Sequence, residues 1–313
     1  MIKSRAAFLA VPCGFATVAR MSPLVRIAAG LCLSCTAAIA GTAAKPDEDK
    51  TARDIFSYDT SYTGGGSLKN NATGRGDSHY TDFTYDHRFP VSGKWYFRTG
   101  FEYERFDFGG SQAGLPNHLQ AAFAHLALEY IVQDHAGAGI SIEPGFYFQN
   151  RVGIESFDVP WRLWISFPLK KDRLFGVLGV GGALYQDPVV APGGGIIWLI
   201  SEKVRLEGVI PKPALVVDLS DDWELRIHGE LLFESFRTDD VIRPSRALNL
   251  HNAVVEYSEY RAGVQLTCNR WKPFAITLGG GYSFEREFHF FRANQRQTIG
   301  GARYAKVGVE AKF

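Results

Sequence analysis

Hydrophobic and polar residues take turns along most of this chain with a period of two. In residues 94–106, KWYFRTGFEYERF, one face carries Trp95, Phe97, Thr99, Phe101 and Tyr103, and the other Arg98, Gly100, Glu102 and Glu104. Residues 223–235 set Trp223, Leu225, Ile227, Gly229, Leu231 and Phe233 against Glu224, Arg226, His228, Glu230 and Glu234. In 272–287, Phe274, Ile276, Leu278, Tyr282 and Phe284 oppose small and polar residues, and 304–313 ends the chain on the same rhythm. Successive side chains of a strand point to opposite faces, so each segment reads as a strand that is apolar on one side only. The first three of these stretches run 12 residues or more. Soluble strands usually have five or six residues, whereas a tilted membrane strand needs about 9–11.

Further strands are expected at 55–63, 79–89, 118–132, 137–149, 157–168, 174–185, 194–200, 254–268 and 302–313. The alanines and leucines of 118–132 also suit a helix, and its neighbours decide for a strand. Short turns are read at 91–94, 133–136, 170–173, 201–203, 220–222 and 269–272. Longer loops are read at 64–77, 107–117, 150–156, 186–193, 237–252 and 289–301. Long and short connections alternate, as in bacterial membrane barrels with short periplasmic turns and longer external loops. Only 203–219 breaks the alternation. Splitting it at Pro211-Lys212-Pro213 into 204–210 and 214–219 restores it, because proline lacks the ladder donor. That gives 14 strands; without the split there are 12. The expected fold is all-β, a transmembrane antiparallel up-and-down barrel of about 12–14 strands over 55–313, after a periplasmic segment at 41–54.

The N-terminus supports a membrane destination. From Met21 it reads Arg26, an apolar run Ile27–Ile39, and small residues at Ala38 and Ala40, the order of a secretory signal peptide over residues 1–40. The alternative is a short uncleaved anchor, although the run is shorter than the roughly 20 residues a spanning helix needs. Residues 1–40 hold Lys3, Arg5, Arg20 and Arg26 and no acid, so the remainder has 30 basic against 33 acidic residues, near −3. That charge argues against nucleic acid as a partner. Cys13, Cys32 and Cys35 leave with the leader, and the single Cys268 makes neither a disulfide nor a thiolate zinc site.

Trp95, Trp223 and Trp271 each sit at a short turn, and Trp198 lies three residues before another. Tryptophan collects at membrane–water boundaries, so these four are the expected interface girdle, with rim packing in a soluble sandwich as the alternative. The polar faces collect Arg98, Glu102, Glu104, Arg205, Glu207, Glu224, Arg226, His228, Glu230, Glu259, Arg261, Lys306 and Glu310. A 12- to 14-stranded barrel with an apolar interior would enclose a large void, while a polar lumen holds water, so these charges are expected to line the lumen. They are read either as a field across a pore or as cross-strand ion pairs tying the wall together. Acids outnumber bases among them, which predicts weak cation preference.

The terminal segment, with Tyr304, Val307, Val309 and Phe313, resembles the C-terminal signal by which Gram-negative outer-membrane barrels are recognised for insertion. Residues 176–236 resemble a largely uncharacterised family of Gram-negative outer-membrane β-barrel proteins. The matching positions are Pro211, Pro213, Val217, Leu219, Ser220, Trp223 and Leu225, with Val217 where members commonly carry an aromatic residue. The resemblance implies fold and location and no activity.

Catalytic chemistry finds no support. Ser67 with His79, His251 with Asn252, and His289 lack the spacing of outer-membrane lipid hydrolases. His125 and Glu129 are two ligands, too few for a metal site, and the triple glycines at 64–66 and 193–195 lack the following Lys-Ser/Thr of a phosphate cradle. No enzyme activity, cofactor or metal is expected. The expectation is a porin-like channel for small polar solutes, with outer-membrane lipid and the barrel-assembly machinery as partners. A non-conducting structural or surface-binding barrel is the alternative, and a lipid-modifying enzyme a distant third. The sequence does not indicate an oligomeric state.

Overall fold

The computed structural model describes residues 53–69, 74–109, 114–132, 136–245 and 247–313; the leader expected at 1–40, and all but the end of segment 41–54, lie outside them. The first four strands are β1 (Asp54–Ser67), β2 (Arg75–Ser92), β3 (Trp95–Phe108) and β4 (His118–Ile131). Two strands are interrupted at prolines without losing register: β5 (Gly137–Ile142 and Gly145–Phe148) and β6 (Phe157–Asp158 and Trp161–Lys170). There follow β7 (Leu174–Gly182), β8 (Val190–Leu199), β9 (Val204–Val209), β10 (Ala214–Asp218) and β11 (Trp223–Arg237). The last three are β12 (Val254–Cys268), β13 (Phe274–Phe290) and β14 (Gln295–Lys312). Each strand pairs antiparallel with the next, and β1 pairs with β14 from Ile55↔Lys312 to Thr63↔Tyr304, so a 14-stranded barrel closes. Closure gives β1 and β14 a neighbour on each side. The break at Pro211-Lys212-Pro213 falls between β9 and β10, and 118–131 is a strand.

Two expectations about connections need correction. The long loop expected at 289–301 is the four-residue turn Phe291–Asn294, and β14 begins seven residues earlier than 302. Within 237–252 lies a small hairpin, Ile242–Ser245 with Leu248–Leu250.

Apolar side chains point outward. Phe56, Phe83, Phe97, Phe101, Leu128, Ile140, Leu163, Ile165, Leu178, Val264, Leu278 and Val307 are all exposed, while their polar neighbours face in. The facing parity reverses once in three adjacent strands. Inward residues run Ser61 and Thr63, then Gly66 and Leu68 in β1. They run Tyr304 and Ala302, then Ile299 and Gln297 in β14, and Ser283, then Arg286 and Phe288 in β13. Bulges produce such reversals by adding one residue to a strand, and register shifts occur at Thr63/Gly66 and at Tyr260/Arg261 opposite β13. The strands approach closely there: a Cβ on Gly66 would lie 1.9 Å from the Gly300 carbonyl oxygen.

Gly66→Ala therefore forces β1 and β14 apart at the closing seam. Overpacking of this kind costs about 1–3 kcal/mol. The expected result is an earlier urea midpoint for the refolded barrel, with Ala at the roomier Gly93 turn (φ 57°) costing less.

Candidate functional site

The interior divides into three layers. Nearest the short turns, alternate residues of β9, β10 and β11 project charges inward. Arg205 donates from Nε to Glu207 (2.8 Å) and from Nη2 to Glu224 (2.7 Å), and Arg226 donates to the other Glu207 oxygen (2.9 Å). Asp218 closes this lattice 3.4 Å from Arg205. On β12, Arg261 grips both oxygens of fully buried Glu259 (2.7 and 2.8 Å), and its remaining N–H groups reach Ser61 and Thr63 of β1 across the lumen. Glu259 also accepts from the Tyr257 hydroxyl (2.8 Å). Lys306 sits 3.4 Å from Asp59, and Glu310 is 3.2 Å from Lys312. His228 Nε2 meets the Tyr304 hydroxyl at 3.1 Å.

The middle layer is a chamber of about 320 Å³. Seven carboxylates line it, from Asp82, Asp86, Glu102, Glu104, Glu129, Glu143 and Glu234, against four basic groups, Arg98, His125, Arg162 and Lys212. Most are paired. His125 lies between Asp86 (2.9 Å) and Glu102 (2.8 Å), using both ring nitrogens. Arg98 bonds Glu129, which Arg88 also approaches at 3.3 Å. Arg162 forks onto both oxygens of Glu143 at 2.7 and 2.8 Å. Lys212, at the apex of the proline-bounded turn between β9 and β10, reaches Glu230 at 3.4 Å.

The third layer, at the long-loop end, is apolar. Phe106 and Phe108 of β3, Phe236 of β11, Tyr257 of β12 and Phe288 of β13 pack edge to face and tilted, with centroids 4.8–5.9 Å apart in neighbouring pairs, and buried Phe290 of β13 joins their cluster. Leu68, Leu115 and Ile242 fold in from three connecting segments to complete this cluster. Aromatic pairs at such spacings add to the burial of their surface. The expectation of a polar lumen throughout is thus corrected: charges dominate the β9–β11 side of the short-turn layer and the middle layer, inward Phe175, Val177, Ile197 and Val209 form an apolar cluster on β7–β9, and apolar side chains fill the long-loop end.

All thirteen charged residues singled out from the sequence lie on the inner face. Arg98, Glu102 and Glu104 line the chamber; Glu230, Glu259 and Arg261 lie at a similar height along their strands, and the other seven lie nearer the short turns. Trp95, Trp198, Trp223 and Trp271 stand exposed near the short-turn rim, as do Val307, Val309 and Phe313; Tyr304 is buried, facing in. Sequence reasoning missed Asp82, Asp86, Glu143, Arg162 and Lys212 as chamber groups, and missed the aromatic layer. Following the inner face of β3 from Glu102 and Glu104 to Phe106 and Phe108 would have exposed the switch from charge to ring. Of the histidines weighed as catalytic candidates, His79 Nε2 bonds Thr60 (2.9 Å) and His289 lies 3.7 Å from Glu256. Neither faces a serine in the hydrogen bonds found among the described residues.

No protein-family model matches the chain, and no curated protein sequence does. Among solved structures, an outer membrane channel from Pseudomonas putida F1 is similar at 10% identity, covering 84% of this chain and 96% of that one, with a TM-score of 0.48. The P. putida toluene transporter TodX aligns at 13% identity over 91% and 94%, TM-score 0.41. The translocator domain of the autotransporter NalP from Neisseria meningitidis aligns at 11% over 86% and 91%, TM-score 0.39. Likenesses this distant carry no argument about what passes through or binds to the chain.

Arg261→Met strips buried Glu259 of its bidentate partner. Breaking a buried pair from one side costs about 3–5 kcal/mol, and the double variant Arg261→Met/Glu259→Leu should recover most of it in urea unfolding. A double variant no more stable than the single one would show that the pair is not what the chord contributes.

Proposed function

We propose that this chain is a channel-like barrel of the bacterial outer membrane that admits small cations to its charged interior and rests closed at its long-loop end. The observation that carries the reading is the chamber, where seven carboxylates face four basic groups inside a closed wall whose outer surface is apolar. A cleft lined by one sign of charge and walled by low dielectric concentrates the opposite ion. The exposed apolar belt and the four rim tryptophans suit hydrocarbon and interface, with the short turns on the periplasmic side. Outer-membrane lipid is then the surrounding partner, and the terminal segment ending at Phe313 the handle for the barrel-assembly machinery. Ion-pair lattices brace the short-turn layer, and the aromatic layer with Ile242 from the loop hairpin acts as the closure.

Planar-bilayer recordings of refolded residues 41–313 test this. The expected result is small, infrequent conductance steps whose reversal potential in a KCl gradient has the sign of cation preference. Removing the hairpin residues 241–250 should raise the conductance several-fold by unseating Ile242. Anion preference, or silence in both forms, would sink the channel reading in favour of a non-conducting barrel.

An outward charge tests the membrane placement. Leu178→Arg puts a cation on the exposed face, where Arg near the bilayer midplane costs about 2–4 kcal/mol. Refolding into lipid vesicles should fall.

A further inference from the structure

The β9–β10 turn stops midway along the neighbouring strand. β9 and β10 have six and five residues, and β10 pairs only with Glu224–His228 of the fifteen-residue β11. The carbonyl oxygens of Pro213 and Pro211 then accept from the N–H groups of Gly229 and Leu231 (2.8 and 3.0 Å), which pins the turn to the middle of β11. Lys212 stands between these two prolines and lines the chamber. Each proline also fixes its own φ. The root of this side chain is therefore held on both sides.

Its head is held far less firmly. Arg162 forks onto Glu143, His125 lies between Asp86 and Glu102, and Arg98 bonds Glu129. Lys212 Nζ reaches Glu230 at 3.4 Å, and its side chain is 41% exposed, against 26% for Arg98, 16% for His125 and 15% for Arg162. A lysine ammonium is a hydrated point charge on a flexible four-carbon stem, and a partly exposed ion pair restrains it weakly. Glu230 does not depend on it, because Arg261 also approaches that carboxylate at 3.9 Å. Asp59 of β1 and Asp82 of β2 act on the same ammonium, from strands half-way round the ring. Lys212 in turn acts on Glu104 of β3. The loosest base of the chamber thus faces acids on both walls.

Building on the cation-channel reading, we propose that Lys212 is a tethered cation that stands in the passage between Glu230 and Asp82 and determines which ions enter. A mobile cation that enters there meets the same carboxylates and is repelled by the ammonium. Charged side chains placed around a passage set ion preference in this way. The chain carries its own competing ion, so the acid excess of the chamber acts on other cations only as far as Lys212 yields.

Planar-bilayer recordings of the full chain purified from membranes compare the wild type with Lys212→Gln and Lys212→Arg. Removing the charge in Lys212→Gln should raise the potassium-to-chloride permeability ratio about three-fold or more. Lys212→Arg keeps the charge and should keep the wild-type ratio, which a merely structural role for the turn does not require. An unchanged ratio in Lys212→Gln overturns the inference and leaves the channel standing. A second readout needs no current: carbon-13 NMR of the reductively dimethylated protein, with the Lys212 signal assigned by its absence from Lys212→Arg. Replacing N-methyl-D-glucamine chloride by potassium chloride at constant ionic strength should shift that signal saturably as potassium displaces the ammonium. A wild-type barrel that passes no current but shows this shift loses the channel and keeps the inference. A silent barrel whose Lys212 signal ignores potassium loses both.

Discussion

Everything else in the molecule depends on the ring of backbone hydrogen bonds being complete. Where no water reaches, each N–H and C=O must find a partner in the wall itself, and only a closed sheet does this with strands. Closure at β1–β14 fixes the register of the seam, Ile55 against Lys312. Register in turn fixes which of each pair of neighbours looks inward. A slip of one residue along this seam would carry Asp59, Ser61 and Thr63 out to the apolar face and bring Tyr58 and Tyr62 in. Close packing of glycines, as at Gly66 against Gly300, keeps the seam tight where the facing parity changes.

Given the ring, the interior charges become obligatory partners. Glu259 and Arg286 are fully buried: Glu259 is held by Arg261 and Tyr257 of its own strand and by Thr63 of β1, and Arg286 by Ser78 and the carbonyls of Gly64 and Gly76 on β1 and β2. These contacts are chords across or around the lumen, so they brace the cylinder against flattening as well as neutralise charge. The charges are compensated differently from layer to layer. Near the short turns, Arg205, Glu207, Glu224 and Arg226 compensate one another almost fully. In the chamber, acids remain in excess.

The wall was legible in the sequence because its signal is repeated fourteen times. The parity of long and short connections even located the β9–β10 turn at Pro211-Lys212-Pro213. What escaped was local and had a local cause. Residues 295–301, QRQTIGG, look like loop because the inward parity reverses near Gly300-Gly301, so Gln297 and Ile299 face in where the rhythm of 302–312 predicts the opposite. The aromatic layer escaped for a related reason. Phe288 and Phe290 come into line with Phe106 and Phe108 only after the register shift opposite Tyr260/Arg261. Chamber groups such as Asp82 and Arg162 sit in ordinary alternating strands, and only closure shows that they converge.

The height of the wall is uneven. β9 and β10 have six and five residues, whereas β2 and β14 have eighteen each. Beyond β10's pairing with Glu224–His228, the top of β11 has few neighbours on that side, and Arg237 pairs instead with Phe148 of β5. At about 3.3 Å per residue, five residues tilted as in a barrel rise far less than the roughly 30 Å of a hydrocarbon core. In a bilayer the lipids along that arc must shorten or splay to meet the wall, while those along β2 and β14 stay extended. In the proposed outer-membrane placement, hydrophobic mismatch confined to one side would make the barrel a source of asymmetric membrane thinning. Such a barrel has a preferred heading among its neighbours, because two thinned arcs placed side by side disturb less lipid than two kept apart.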